Sequence, residues 1–468
     1  MSARRLTLAV VCLATMMLML DIAVVNTALP DIGRDLHAGL GGIQWVVDAY
    51  TLALATVVLS AGALADRLGR RRLFAVGLGV FTLASLACAL ANSIGVLEAS
   101  RAAQGIGAAI MFAVSLAILA NAFTSAKERA GALAFYGATI GASFAVGPLV
   151  GGALTSGFGW RSIFLVNIPV GLLALLITYT SVAESRDPKA RPIDWGGQTV
   201  LAGGLFLLVY ALLRGNDVGW GHASILASFA GAGVLLLAFA AVETRVREPM
   251  LPFSHFRNRS FSAAQIGAFA ISASFFAVFL YTTLYLQNVR GLSPVEAGLV
   301  YMPGTVIAFF VSAASAQMIE RGNSIRMMVS GGLALVAAGM ALLTILGTHS
   351  SWLVFLPGEI VAMVGTGMFN PAISNIALSS LPEAQSGLAA GVNDTFRQAG
   401  IAVGIAALGA LIPAQAALGH GDAQAMVGGL HHALLAGAGV AAAGALVTAR
   451  LMRSRGRVRA TAVEPAAA

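Results

Sequence analysis

Charge is scarce in this sequence. Only 10% of its 468 residues are Asp, Glu, Lys or Arg, against about 25% in a soluble domain. Lysine is scarcer still, with 2 residues against 26 arginines. Lys127 follows Ala126 and Lys189 follows Pro188, so neither completes GxxxxGK[ST] and ATP hydrolysis by a P-loop is excluded. Cys12 and Cys88 both fall inside apolar runs, which predicts free thiols and no disulfide. The histidines are scattered. Only His431 and His432 are adjacent, and helical neighbours point about 100° apart, a poor geometry for a metal. HExxH, CxxC and GxSxG are all absent. Neither an enzyme nor a bound metal or cofactor is expected.

What fills the space is apolar. Hydrophobic residues make up 58% of the chain and mean hydropathy is +0.85. The runs are continuous rather than alternating, which excludes an outer-membrane barrel. A bilayer span takes about 20 such residues, and fourteen segments qualify: 6–29, 43–65, 73–91, 94–120, 130–153, 162–183, 195–213, 222–242, 262–287, 296–318, 327–347, 352–378, 386–414 and 430–452. The reading is an all-α integral membrane protein. The first run continues past Asp21 to Leu29 with no clear cleavage site, so no cleavable signal is expected. The tail RSRGRVRATAVEPAAA is expected to be disordered.

Lys and Arg set the orientation. With the N-terminus inside, inner segments hold 22 of them and outer loops hold 4, namely Arg34, Arg161, Arg214 and Arg290. That asymmetry places both termini in the cytoplasm. It also accounts for the net charge of +8 without nucleic acid as a partner. GALADRLGRRR (Gly62–Arg72) follows the second span, and AQMIERGNSIR (Ala316–Arg326) follows the second span of the last six. The two loops share a small–acidic–Arg–Gly–basic order. They suggest two six-helix halves related as parallel repeats, although short basic inner loops resemble one another in any case. The expected division is 1–183 for the first bundle, 184–261 for a linker carrying two additional helices, 262–452 for the second bundle and 453–468 for the tail.

Ionisable residues within spans are costly, about 2.5–3.5 kcal/mol each on insertion scales. At about 1.5 Å rise per residue, Arg101, Asp21 and Asp48 lie roughly 8–12 Å below the outer surface, with Glu98 slightly shallower. One reading is a proton carrier at Asp21 tuned by Arg101, with Asp48 and Glu98 at the same level. The other is a static ion pair, or Glu98 and Arg101 snorkelling outward. In the second half, Asp394 and Arg397 sit three apart in GVNDTFRQAG, where they either pair with each other or line a site. Glu359 follows Pro357 and Gly358, and no partner for it is readable.

Several motifs in series carry a resemblance. They are LDIAVVNTALP (Leu20–Pro30), GALADRLGRRR, LEASRAAQGIGAA (Leu97–Ala109), GPLVGG (Gly147–Gly152), GWRSIFLVNIPVG (Gly159–Gly171) and SGLAAGVNDTFRQAG (Ser386–Gly400). Together they resemble the major facilitator superfamily and, within it, the fourteen-helix drug:proton antiporter family. The resemblance covers nearly the whole chain. One departure stands out: the family pattern has a second Asn where this chain has Asp394. That leaves open a second protonation site or a cation preference.

The resemblance implies roles for particular residues. Asp21 and Arg101 would couple protonation to alternating access, with Asp48 and Glu98 as further proton-coupling candidates on the strength of their shared depth alone. Gly62, Asp66, Arg67, Gly69 and Arg70 would form an inner latch on a neighbouring helix end. Gly147, Pro148, Gly151 and Gly152 would shape a tight helix contact that seals the pathway. Asn26, Gln104, Phe275, Phe279, Asn370, Asn393, Asp394, Arg397 and Gln398 are candidates for the substrate cavity, though aromatic residues facing lipid are as common. The expected function is proton-coupled export of amphipathic drugs or antibiotics across a bacterial inner membrane, by a monomer. An exporter of an endogenous metabolite, peptide or lipid is the alternative, and a non-transporting scaffold or sensor the third reading.

Overall fold

The computed structural model describes residues 3–186, 194–246, 248–381, 385–419 and 421–452. No strand occurs among them. Lys189 and the tail 453–468 lie outside the described residues.

The first half comprises α1 (Ala3–Asp35), α2 (Leu40–Leu68), α3 (Arg70–Ala89), α4 (Ile94–Ala122), α5 (Ala126–Phe158) and α6 (Ser162–Ser181). A hairpin follows, α7 (Trp195–Val218) and α8 (Ala223–Glu243). The second half holds α9 (Arg259–Val289), α10 (Pro294–Glu320), α11 (Ile325–Ile345), α12 (Trp352–Ala377), α13 (Ser386–Gly409) and α14 (Ala423–Leu451). Helices overrun the expected spans, because backbone polar groups stay paired into the interfacial layer. Polar starts are capped, as where Ser293 and Glu296 form a reciprocal box with Pro294 opening α10.

Among the described residues, 13 helices are long and apolar enough to cross a membrane. The segment expected over 386–414 differs. Its helix stops at Gly409, Pro413 precedes a separate short turn at Ala414–Ala417, and the Asn393–Gln398 run keeps α13 outside that set. Leu83, Leu172, Leu176, Val234, Leu237 and Leu446 are each more than half exposed, an apolar belt that only lipid would cover. This is a multi-pass membrane protein.

The two halves pack alike. In the first, α4 lies between α2 and α3, and α1 packs on α5 and α6. In the second, α12 lies between α10 and α11, and α9 packs on α13 and α14. Close approaches repeat in register. A Cβ on Gly107 would stand 2.6 Å from the Phe81 nitrogen and 2.9 Å from the Gly77 carbonyl. One on Gly365 would stand 2.9 Å from the Val336 nitrogen and press on the Gly332 carbonyl. Likewise Gly147 and Gly151 of α5 meet Ala23, Val24 and Thr27 of α1, while Gly400 and Gly404 of α13 meet Ser272, Ala273 and Ala277 of α9. Small residues let these backbones touch.

The halves meet along two seams, α2 with α13 and α5 with α10. Gln44 Nε2 donates to Tyr281 Oη at 2.7 Å, and that hydroxyl donates to the Ile405 carbonyl. Thr395 Oγ1 donates to the Ala55 carbonyl at 3.0 Å and Thr305 Oγ1 to the Ala145 carbonyl at 2.9 Å. The α7–α8 hairpin lies over the first seam, where Ser60 donates to Gln198 and Asn216 donates to the Ala410 carbonyl. α9 carries two π-bulges, Ser272–Phe276 and Tyr285–Val289.

Candidate functional site

The first half encloses a polar network in an otherwise apolar core. Arg101 and Asp21 form an ion pair, and both side chains are only 1% exposed. Gln104, one turn along α4, holds both: its Oε1 accepts from Arg101 Nη1 at 2.7 Å and its Nε2 donates to Asp21 Oδ1 at 2.8 Å. The same amide donates to Ser85 Oγ of α3 at 2.9 Å. Asn167 of α6 donates to Asp21 Oδ1 and Ser85 Oγ, each at 3.4 Å. Arg101 Nε donates to the Val46 carbonyl at 3.0 Å, and its guanidinium lies 4.3 Å from the Tyr50 ring centroid. Five helices thus converge on one carboxylate and one guanidinium. Removing one member of such a pair leaves a buried charge uncompensated, a loss of about 3–5 kcal/mol.

Asp48 and Glu98 stand outside this network. Asp48 is fully buried and neither carboxyl oxygen has a hydrogen-bond partner. It lies one turn along α2 from Gln44, the residue that reaches Tyr281 across the seam. Glu98 is half-buried beside Gly42, at the start of α2. Gln104, a candidate for the substrate cavity, is engaged by Arg101, Asp21 and Ser85. Asn26 donates to its own helix at Ile22.

The loop between α2 and α3 folds onto a partner the sequence reading missed. Arg70 Nη2 pairs with Asp66 Oδ1 at 2.8 Å, one turn apart. Beside them, Glu184 accepts from the backbone nitrogens of Arg71 at 3.1 Å and Arg72 at 3.3 Å. A carboxylate there satisfies free donors at the start of α3 and complements the helix dipole. Gly69 adopts φ +112°, and a Cβ on it would stand 2.8 Å from the Glu184 carboxyl. Arg67 is exposed and Gly62 lies on an open face. The segment that meets the loop is the non-helical stretch after α6, in the same half, through Glu184.

GPLVGG is wedged between two helices. Gly147 and Gly151 face α1, whereas Gly152 abuts Pro294 and Val295 of α10. A Cβ on Gly298 of α10 would in turn press on the Pro148 carbonyl, with Leu149 Cα at 3.1 Å. One segment therefore packs on its own half through two glycines and on the opposite half through Gly152 and Pro148. Thr27, which packs against Gly151, gives its carbonyl to Gln287 Nε2 of α9 at 2.8 Å.

In the second half, Asn393 Nδ2 donates to Gln265 Oε1 at 3.2 Å. Asp394 Oδ2, Gln398 Oε1 and Asn370 Oδ1 are enclosed without hydrogen-bond partners. Arg397 lies 6.0 Å from the Phe276 ring, and Phe276 pairs with Phe144 of the opposite half at 6.0 Å. Phe275 is buried against Phe276, and Phe279 packs on Tyr301 at 4.3 Å. The half-buried aromatic at the junction is thus Phe276.

The Major Facilitator Superfamily family model matches residues 11–405. The chain belongs to that superfamily. Among curated superfamily relatives, it is 36% identical over 409 residues to the Multidrug resistance protein Stp of Mycobacterium tuberculosis, covering 87% of this chain and 76% of that one. It is 35% identical to the Tetracenomycin C resistance and export protein of Streptomyces glaucescens, covering 87% and 75%. It is 38% identical to the Puromycin resistance protein pur8 of Streptomyces alboniger, covering 86% and 80%. Solved superfamily-like folds include the human organic anion transporter MFSD10, with TM-score 0.65 over 95% of this chain and 99% of that one at 16% identity. At that identity the likeness concerns the fold alone.

Proposed function

We propose that this chain is a proton-coupled exporter of amphipathic, antibiotic-like molecules, working by alternating access as a monomer in a bacterial inner membrane. Both termini face the cytoplasm and protons enter as substrate leaves. The drug-resistance relatives support the substrate class, and the 22-to-4 distribution of Lys and Arg supports the orientation.

The closed Asp21–Arg101–Gln104 network carries this reading. A proton on Asp21 abolishes the attraction that compensates Arg101. The resulting penalty, about 3–5 kcal/mol, is comparable with the roughly 5.5 kcal/mol that carries a two-state equilibrium from one side to the other. Protonation thereby favours the arrangement in which Arg101 is hydrated. The GPLVGG wedge supplies the second element, because it holds α1 and α10 at once. Asp48, dry in the seam, becomes hydrated when α2 and α13 part. Glu98 lies on the approach from the outer face. Asp394, Arg397, Asn393, Gln398, Asn370 and Phe276 supply polar and aromatic contacts for substrate between the halves.

The test is a resistance profile in a pump-deficient host, then flux in proteoliposomes with an imposed pH gradient. Collapsing the gradient should stop efflux, and Asp21→Asn should fall to background. Efflux that persists in Asp21→Asn would remove Asp21 from the mechanism.

A further inference from the structure

Glu359 of α12 is 1% exposed, and its Oε1 is enclosed without a hydrogen-bond partner. It has no place in the mechanism above. Its position is set by the repeat between the halves. The register that matches Gly107 with Gly365 along α4 and α12 also matches Arg101 with Glu359. On the facing helices, the matched loops Gly62–Arg72 and Ala316–Arg326 make Tyr50 of α2 equivalent to Gly304 of α10. The contacts agree: Arg101 lies over the Tyr50 ring, and Glu359 lies on Gly304, where a Cβ would stand 2.6 Å from Oε1. The two halves place a basic and an acidic side chain at one architectural position.

The surroundings differ in one decisive respect. Arg101 has Asp21 and Gln104. The equivalents in the second half are the apolar Ala270–Ile271 stretch of α9 and Ala362. Among the described residues, no cation is recorded against Glu359. α10 presents Gly304 and Tyr301, whose hydroxyl is bonded to Thr282 at 2.7 Å and to Thr283 at 3.2 Å on α9. α11 presents Gly339 and Leu343 beside Gly358. Asp394 and Arg397, on α13, interact with each other. An enclosed carboxyl without a counter-charge stays neutral by keeping its proton. The absent side chain at Gly304 makes the room, so separation of α10 from α12 is what admits water.

We propose that Glu359 is a second proton-carrying residue, holding its proton in the present packing and releasing it to water when α10 and α12 part at Gly304. The inference rests on the proton-coupled reading and deepens it, adding a carrier in the second half independent of Asp21. The carboxylic O–H bond breaks, the proton passes to water, and the carboxylate remains hydrated until the contact closes again.

The experiment uses the purified full-length chain in lipid nanodiscs, with the proton itself as probe. Infrared difference spectra between mildly acidic and alkaline buffer should show the carbonyl stretch of a protonated carboxylic acid that titrates. Glu359→Gln should lose that band and release one proton fewer per chain after an alkaline jump. Asp21→Asn should keep it. Gly304→Ala, whose methyl would crowd Oε1, should shift the same band. The proposal is overturned if the band never titrates, if proton release in Glu359→Gln equals the parent's, or if Gly304→Ala leaves the band in place. Efflux persisting in Asp21→Asn sinks the coupling role of Asp21 without touching this band, so the two failures are distinguishable.

Discussion

Gly298 of α10 lies against the Pro148 carbonyl of α5, across the boundary between the two halves. A wedge segment whose other glycines grip α1 is thus seated directly on the opposite bundle. Any movement that separates the halves here breaks a backbone-to-backbone approach that no larger residue could restore.

Gly298→Val should therefore pry α5 from α10. Overpacking of this kind costs about 1–3 kcal/mol, and each 1.4 kcal/mol is roughly a tenfold change in an equilibrium. Ser156 accepts from the Val295 nitrogen at 3.2 Å across the same seam. In a Ser156→Cys background, labelling by a membrane-impermeant maleimide should speed up about tenfold or more in Gly298→Val. An unchanged labelling rate would show that the seam is not a gate.

Arg101→Ala should be among the most destabilising single changes in the chain. It leaves Asp21 buried without its cation, a loss of about 3–5 kcal/mol. The double variant Asp21→Asn with Arg101→Met should regain much of the thermal stability while staying inactive in transport. Thermal unfolding in detergent, read beside proteoliposome flux, separates the two effects. A double variant no more stable than Arg101→Ala would contradict the ion-pair account.

Asn167 touches Asp21 only at 3.4 Å, which predicts a positioning effect. Asn167→Ala should lower flux several-fold and displace its pH profile, with Asn167→Gln restoring part of it. A fall in flux with an unmoved pH profile would mean Asn167 serves packing alone.

Glu184→Gln should loosen the loop between α2 and α3. Loss of a helix-capping carboxylate costs about 0.5–2 kcal/mol. The Arg71 and Arg72 side chains approach it only at 3.9 and 3.8 Å, partly exposed, so the ionic part should fade at high salt. Gly69→Ala should cost more, because it adds backbone strain to the collision with Glu184. Hydrogen exchange at the start of α3 reads both, and equal protection in Glu184→Gln and parent would refute the cap.

Composition and hydropathy were enough for the membrane class and for most spans, because bilayer length acts locally along the chain. They put Asp21 and Arg101 at one depth but left open whether the two pair, which the fold decides. Glu184, Ser85 and Asn167 were missed, although Asn167 sits inside the GWRSIFLVNIPVG motif. Their partners lie on other helices, from 19 to 146 residues away in the chain, which no spacing rule reaches. Gln104 was a cavity candidate in the sequence, and only the direction of its side chain shows it bonded to both Arg101 and Asp21. Phe276, at the end of the first π-bulge of α9, is half-buried at the junction, whereas its neighbour Phe275 is buried.

The amino-acid order alone determined that this chain crosses a membrane many times and that a few ionisable groups are retained within its spans. Hydropathy, rise per residue and desolvation are properties of single segments, so they need no neighbour. Which charges meet was decided only by tertiary packing. Arg101 and Glu359 occupy one position in two similar bundles, yet one faces a carboxylate and the other faces glycine and apolar side chains. That difference exists only once helices far apart in the chain are brought into contact.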